Sequence, residues 1–188
     1  MKVWLIRHGE SETNKAGLWT GWLDVSLTEQ GKADAALAGT ILSQTKFDKI
    51  YTSDLQRARM TAEIAIPGCT YECTPLVREV NVGDVAGKPL GILTEQQRAA
   101  IAKEGYSAVG GESKEQFADR IGAFMRRLEG ESCESIAVFA HNGVVRKFLD
   151  MAMGIEAPRK KMIFGNCAIA VFDYSNSNWR LHSWINLR

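Results

Sequence analysis

At 188 residues, 45% hydrophobic and 24% charged, the chain carries enough apolar material for one globular domain spanning 1–188 without disulfide or metal staples. A formal net charge of +1 gives no sign of the basic stripe of a nucleic-acid binder or of a charged membrane-surface patch. Any affinity for an anion must come from a few placed cations.

In chain order, the apolar run Lys2–Ile6 predicts a buried strand, and Thr28 predicts the cap of a helix with Ala33, Ala36, Leu37 and Ile41 on one face. Asp48–Thr52 reads as a second strand. Ser53, with Gln56 three residues on, reads as a capping box opening a helix to about Ala65. The Gly-rich stretch Arg78–Gly91 is irregular, and Thr94–Lys103 is a polar helix. Ser113 and Gln116 open another helix, whose apolar face is Phe117, Ile121, Phe124 and Leu128. Ser135–Ala140 is the strongest strand candidate, Val144–Met153 reads as helix, and Ala168–Asp173 and Arg180–Ile185 read as closing strands. Alternating strands and helices predict an α/β fold: a mostly parallel sheet flanked by helices on both faces.

The four cysteines (Cys69, Cys73, Cys133, Cys167) make no CxxC pair and no metal-finger spacing, so they read as reduced thiols, partly in the core. The apolar start is too short for a signal peptide, and no run reaches the roughly 18 apolar residues of a membrane helix. A cytoplasmic location is expected, with no nucleic-acid or membrane partner; a homodimer stays open.

The chemistry centres on two of the three histidines. His8 follows the first strand with Arg7 between, and His141 follows Ser135–Ala140 directly. Parallel strands end on one edge, where ligands bind, so both imidazoles are expected on one rim. Arg7 adjoins His8, and Arg57 lies inside the helix after the second strand. A guanidinium fork suits phosphate oxygens, and a helix N-terminus adds donors. On composition Arg59 and Arg78 fit equally, and the residues alone support an anion site of two histidines plus arginine.

Leu5-Ile6-Arg7-His8-Gly9-Glu10-Ser11-Glu12-Thr13-Asn14, Thr20-Gly21-Trp22-Leu23-Asp24, Leu27-Thr28-Glu29-Gln30-Gly31 and Ser53-Asp54-Leu55-Gln56-Arg57-Ala58-Arg59 follow one another along the chain. Arg78-Glu79, Gly110-Gly111-Glu112-Ser113 and Ala140-His141-Asn142-Gly143-Val144-Val145-Arg146 complete the set. Together they resemble the histidine phosphatase superfamily, which includes the cofactor-dependent phosphoglycerate mutases and has a phosphoglycerate mutase-like fold. The resemblance implies His8 as a nucleophile that becomes phosphohistidine, with Arg7, Arg57 and His141 holding the transferring oxygens and Asn14 adding a donor. It implies Glu79 as the acid that protonates the leaving alcohol, with Gly21 and Glu112 as further substrate contacts; Asn142 adds a polar side chain near the site rim. No metal and no cofactor are implied.

Two positions depart from the family pattern: Ser26 stands where Pro is common, and Asn142 where many members have Gly. Ser113 reads as a helix cap that could reach substrate, and Trp19 and Trp22 as candidates for the mouth. Mutases of the family carry a longer insertion with extra arginines, whereas Asp84–Gly111 is short and holds only Arg98. The expected activity is therefore hydrolysis of a small phosphorylated metabolite, α-ribazole phosphate or a sugar phosphate among the options, with a phosphoglycerate mutase as the alternative. A metallohydrolase built on His8, Glu10, Glu12 and His141 is disfavoured because Arg7 and Arg57 repel a divalent cation. An inactive phospholigand-binding module is disfavoured because binding needs neither nucleophile nor acid.

Overall fold

A computed structural model describes residues 1–155 and 162–187. A six-stranded sheet has the order β3-β2-β4-β1-β5-β6, built from β1 (Lys2–Arg7), β2 (Lys49–Ser53), β3 (Glu72–Thr74), β4 (Ser135–Ala140), β5 (Ile169–Ser175) and β6 (Asn178–Ile185). The pairs β1–β4, β2–β4 and β2–β3 are parallel. The closing strands form an antiparallel hairpin on β1, turned by Asn176 and Ser177, both at positive φ as a tight two-residue hairpin turn requires.

The central strands are covered on both faces, which explains why Ile136–Ala140 is apolar without alternation. One face packs Val3, Leu5 and Val138 against Phe124 of α5 (Lys114–Glu129) and Phe148 of α6 (Asn142–Met153). The other packs Ile6, Ala137 and Phe139 against Leu42 of α2 (Glu29–Leu42) and Ala62 of α3 (Gln56–Ala65). The predicted face Phe117, Ile121, Phe124 and Leu128 is buried throughout, and Ser113 makes the full capping box.

One expectation changes, and two elements are additional to those the sequence predicts. The short helix α1 (Glu12–Lys15) and the three-residue strand β3 carried no usable sequence signal. Ser53 is not a helix cap: it is the last residue of β2, and α3 begins after Leu55 with no side-chain cap bond. The helix α4 (Glu95–Glu104) is capped by Thr94 and contributes Ile101 and Ala102 to the lining of a large cleft.

Candidate active site

Register explains how residues far apart in sequence meet. Arg7 pairs with Ala140 across β1 and β4, so His8 and His141 leave neighbouring strand ends at the same height. Their rings lie with centroids 5.1 Å apart, inclined at 61°. Both imidazoles are buried, at 4% and 0% exposure.

The His8 ring is fixed by its backbone. Nδ1 lies 2.6 Å from the Gly9 carbonyl, which can only accept, so Nδ1 carries the proton and Nε2 keeps its lone pair. Arg57 Nε donates toward that lone pair at 3.3 Å. Burial, reinforced by the Arg57 and Arg7 charges, holds His8 well below its ordinary value, and it is neutral at physiological pH. His141 is lowered likewise, by burial first and then by Arg57 and the His8 ring.

Close backbone packing makes this arrangement possible. A Cβ on Gly9 would meet the Gly31 carbonyl at 2.3 Å, and one on Gly31 the Glu10 carbonyl at 2.1 Å. Only two glycines let the turn after His8 sit against the start of α2. The Gly9 amide then donates to Thr61 on α3 at 3.0 Å.

Arg57 is fully buried, the second residue of α3. Its Nη1 donates to the Leu23 carbonyl and its Nη2 to the Gly21 carbonyl, each at 2.8 Å. Burial brings its value down to about 10, opposed by the Glu79 carboxylate. Gly21, at φ +50, thus lines the cleft and holds Arg57 through its carbonyl. Arg7 donates from Nη1 to the Phe164 carbonyl at 2.6 Å. Its Nε is buried without a hydrogen-bond partner, as is His141 Nδ1. Unpaired buried polar groups cost about 1–3 kcal/mol each, and His141, unlike Arg7, His8 and Arg57, is not among the residues that line the cleft.

His141 Nε2 lies 2.8 Å from Ser53 Oγ, which accepts from the Leu55 amide at 3.3 Å and can donate its hydroxyl proton to the ring, so that Nδ1 carries the ring proton. Ser53 therefore orients the second histidine, which is why a serine stands at a strand end where no cap is made.

Glu79 sits at the N-terminus of α6, with Oε2 accepting from the Gly143 amide at 3.1 Å and Oε1 from Val80 at 2.9 Å. Its loop is held by Arg120, a residue the sequence did not flag. Arg120 donates to the carbonyls of Leu76, Arg78 and Glu79, and forms a two-point pair with Glu112 at 2.9 and 2.8 Å. Glu112 was expected at the substrate. It does line the cleft, but its oxygens are spent on Arg120 and the Asn81 amide. Asn142, at the start of α6, lines the cleft while accepting from Arg146.

The other candidates separate cleanly. Asn14 and Trp19 line the cleft. Trp22 lies outside it, donating from its indole to the Glu79 carbonyl at 2.7 Å. Arg78 is paired with Asp54 at the surface, and Arg59 does not reach the cleft. Among the described residues no His, Cys, Asp and Glu cluster could hold a metal ion, and Glu12 stays away from the cleft.

The cleft encloses about 960 Å³, far more than a phosphoryl group needs. Arg7, His8, Arg57 and Glu79 line it together with the apolar side chains of Trp19, Leu90, Ile101 and Tyr106, of which Trp19, Ile101 and Tyr106 pack in one cluster. A buried neutral imidazole lone pair, two guanidiniums and a carboxylate converging on one cleft are parts suited to phosphoryl transfer. The family profile of the histidine phosphatase superfamily, branch 1, matches residues 3–187. The chain belongs to the histidine phosphatase superfamily. Similar proteins include the adenosylcobalamin/alpha-ribazole phosphatase of Salmonella typhimurium, 34% identical over 77% of this chain and 76% of that one. A probable phosphoglycerate mutase of Photorhabdus laumondii is 30% identical over 98% of this chain and 90% of its own. A crystal structure of a candidate alpha-ribazole-5'-P phosphatase from Escherichia coli superposes with a TM-score of 0.86, at 25% identity over 99% and 96% of the two chains. The chain is thus an enzyme of the histidine phosphatase type. No helix among the described residues is long and apolar enough to cross a membrane.

Proposed function

We propose that the chain is a cytoplasmic, metal-independent phosphomonoesterase that works through a phosphohistidine on His8. The observation that carries this reading is the His8 ring itself: Nδ1 is committed to the Gly9 carbonyl, leaving Nε2 unprotonated beside Arg57. In the first step Nε2 attacks phosphorus while the bond from phosphorus to the alcohol oxygen breaks. Glu79 gives that oxygen its proton, and the alcohol leaves. In the second, water attacks the phosphohistidine, Glu79 takes a proton from it, and His8 and inorganic phosphate are regenerated. Arg7, Arg57 and His141 offset charge on the transferring oxygens, and the unpaired Arg7 Nε and His141 Nδ1 support that role. Two guanidiniums at the reacting centre already supply the charge a metal would bring, and they would repel one. Free cysteines at all four positions suit a reducing compartment.

For the substrate, the apolar lining with Trp19 and Tyr106 in edge contact at 5.8 Å favours an alcohol with a flat, ring-bearing body over a small polar acid such as phosphoglycerate. This agrees with the relatives named for α-ribazole phosphate. The stretch Asp84–Gly111 has one arginine, Arg98, which does not line the cleft and whose Nε is turned to the Leu93 carbonyl at 3.1 Å.

Rapid quench with labelled substrate, in the presence of a strong chelator, tests the reading. The expected label is stable in base, labile in acid and absent from His8→Ala. An acid-stable label, or one that appears only when a divalent ion is restored, overturns it.

A further inference from the structure

Asn166 came from no motif, yet its amide reaches the centre of the site. Its Nδ2 donates to the His8 carbonyl at 3.1 Å and to Asn14 Oδ1 at 3.4 Å. Both partners are acceptors, so Asn166 must present its NH2 group to them. Asn14 Oδ1 also faces the Ser11 amide at 3.3 Å, a donor whose direction the backbone fixes. Two donors therefore converge on one face of the Asn14 amide and hold its oxygen there. The Asn14 NH2 is left on the other side, and Asn14 lines the cleft.

The turn that delivers Asn166 is itself unusual. Cys167 adopts φ +56, left-handed backbone that is uncommon outside glycine. Such a conformation persists where its surroundings over-determine it. Here the Cys167 side chain is fully buried with Ala35 and Ala38, and its amide donates to the His8 carbonyl at 3.3 Å. The His8 carbonyl thus has two donors and stays paired if the Asn166 amide is removed. Asn14 Oδ1 would keep one of its two long bonds, that from Ser11.

We propose that Asn166 is a positioning residue that sets the direction of the Asn14 side-chain amide, turning its NH2 toward the phosphoryl group. The inference rests on the reading of Asn14 as a phosphate donor. Without Asn166 the Asn14 amide can rotate and present its oxygen to an anionic ligand, which repels it. Asp at position 166 is worse than Ala at neutral pH: it keeps the shape but sets carboxylate oxygens against two acceptors. Protonating that carboxyl restores one donor.

The test is a double-mutant cycle on Asn14→Ala and Asn166→Ala, read by kcat/KM and by the affinity for vanadate as a phosphoryl mimic, with Asn166→Asp followed across pH. Asn14→Ala is expected to lose about tenfold or more, and Asn166→Ala about five- to tenfold, in both readouts. The double variant should be no worse than Asn14→Ala alone, because Asn166 acts through Asn14. Asn166→Asp should fall below Asn166→Ala at pH 8 and gain on it as the pH drops toward 5. Multiplying losses in the double variant, or Asn166→Asp matching Asn166→Ala at every pH, overturns the positioning role while the Asn14 contact stands. Unchanged rate and vanadate affinity in Asn14→Ala overturns the Asn14 contact and the inference together.

Discussion

Gly143→Ala separates the placement of the general acid from the stability of the fold. A Cβ at position 143 would lie 2.2 Å from Glu79 Oε1 and 3.2 Å from its carboxyl carbon. An ordinary carbon–oxygen contact is about 3.3 Å or more, so the oxygen must retreat by roughly 1 Å. The obstacle is the tip of a side chain, and Gly143 has ordinary helical backbone, so the protein gives way at Glu79 and not in α6. Retreat weakens the bonds that Gly143 and Val80 amides donate to the carboxylate, at a cost of about 1 kcal/mol. Replacing glycine by alanine in a helix returns up to about 1 kcal/mol. The melting temperature should therefore move by no more than about 2–4 °C.

Activity should respond quite differently. A displacement of about 1 Å in a catalytic group costs on the order of 100-fold. The loss should depend on the leaving group, since an alkyl alkoxide needs the proton and p-nitrophenolate departs readily without it. Burst kinetics with an alkyl phosphate and with p-nitrophenyl phosphate, measured ahead of the water step, give the comparison. The expected result is a burst roughly 100-fold slower for the alkyl ester and only a few-fold slower for the aryl one. Equal slowing of both, or none with either, would falsify Glu79 as the acid. Glu112→Gln is the control: with its oxygens tied to Arg120, it should show no leaving-group dependence.

Arg57→Lys should lower kcat/KM at least tenfold, equivalent to about 1.4 kcal/mol, because an ammonium cannot serve the Leu23 and Gly21 carbonyls and still approach His8 Nε2; wild-type rates in that variant would assign the clamp elsewhere. The folded values of His8 and His141 lie below the unfolded value of 6.5, so the unfolded chain takes up protons first as pH falls. Their contribution is whole above about pH 6.5 and is lost below it, each by up to about 1.4 kcal/mol per pH unit. Urea melts at pH 7.5 and 5.5 should show a smaller loss in His141→Gln than in wild type, and equal losses would mean that His141 is not held neutral. Incubation with 3-phosphoglycerate and a bisphosphoglycerate primer should yield little 2-phosphoglycerate, whereas turnover on the order of 10 per second would install the mutase reading.

The strands and the long helices were legible because their signals are local. Ser135–Ala140 is apolar without a break since helices cover both faces, and the face of α5 repeats with helical period. The matched positions of His8 and His141 were also legible, since a parallel sheet turns two strand ends into one rim, and the Arg7–Ala140 register makes that rim exact to the residue. Ser53 was misread because a serine three residues before a glutamine has the same local pattern whether it caps a helix or meets a histidine from another strand. Only the pairing of β2 with β4 decides between them. Arg120, Asn166 and the fate of Glu112 were invisible for the same reason. Arg120 looks like one more charge on an exposed helix until the 76–79 loop folds over it, and Glu112 looks free until Arg120 is there to take its oxygens. Residues that meet the substrate carry the motif, whereas those that aim them are fixed by contacts the linear order does not contain. The direction of the Asn14 amide depends on Asn166, which lies at the opposite end of the chain.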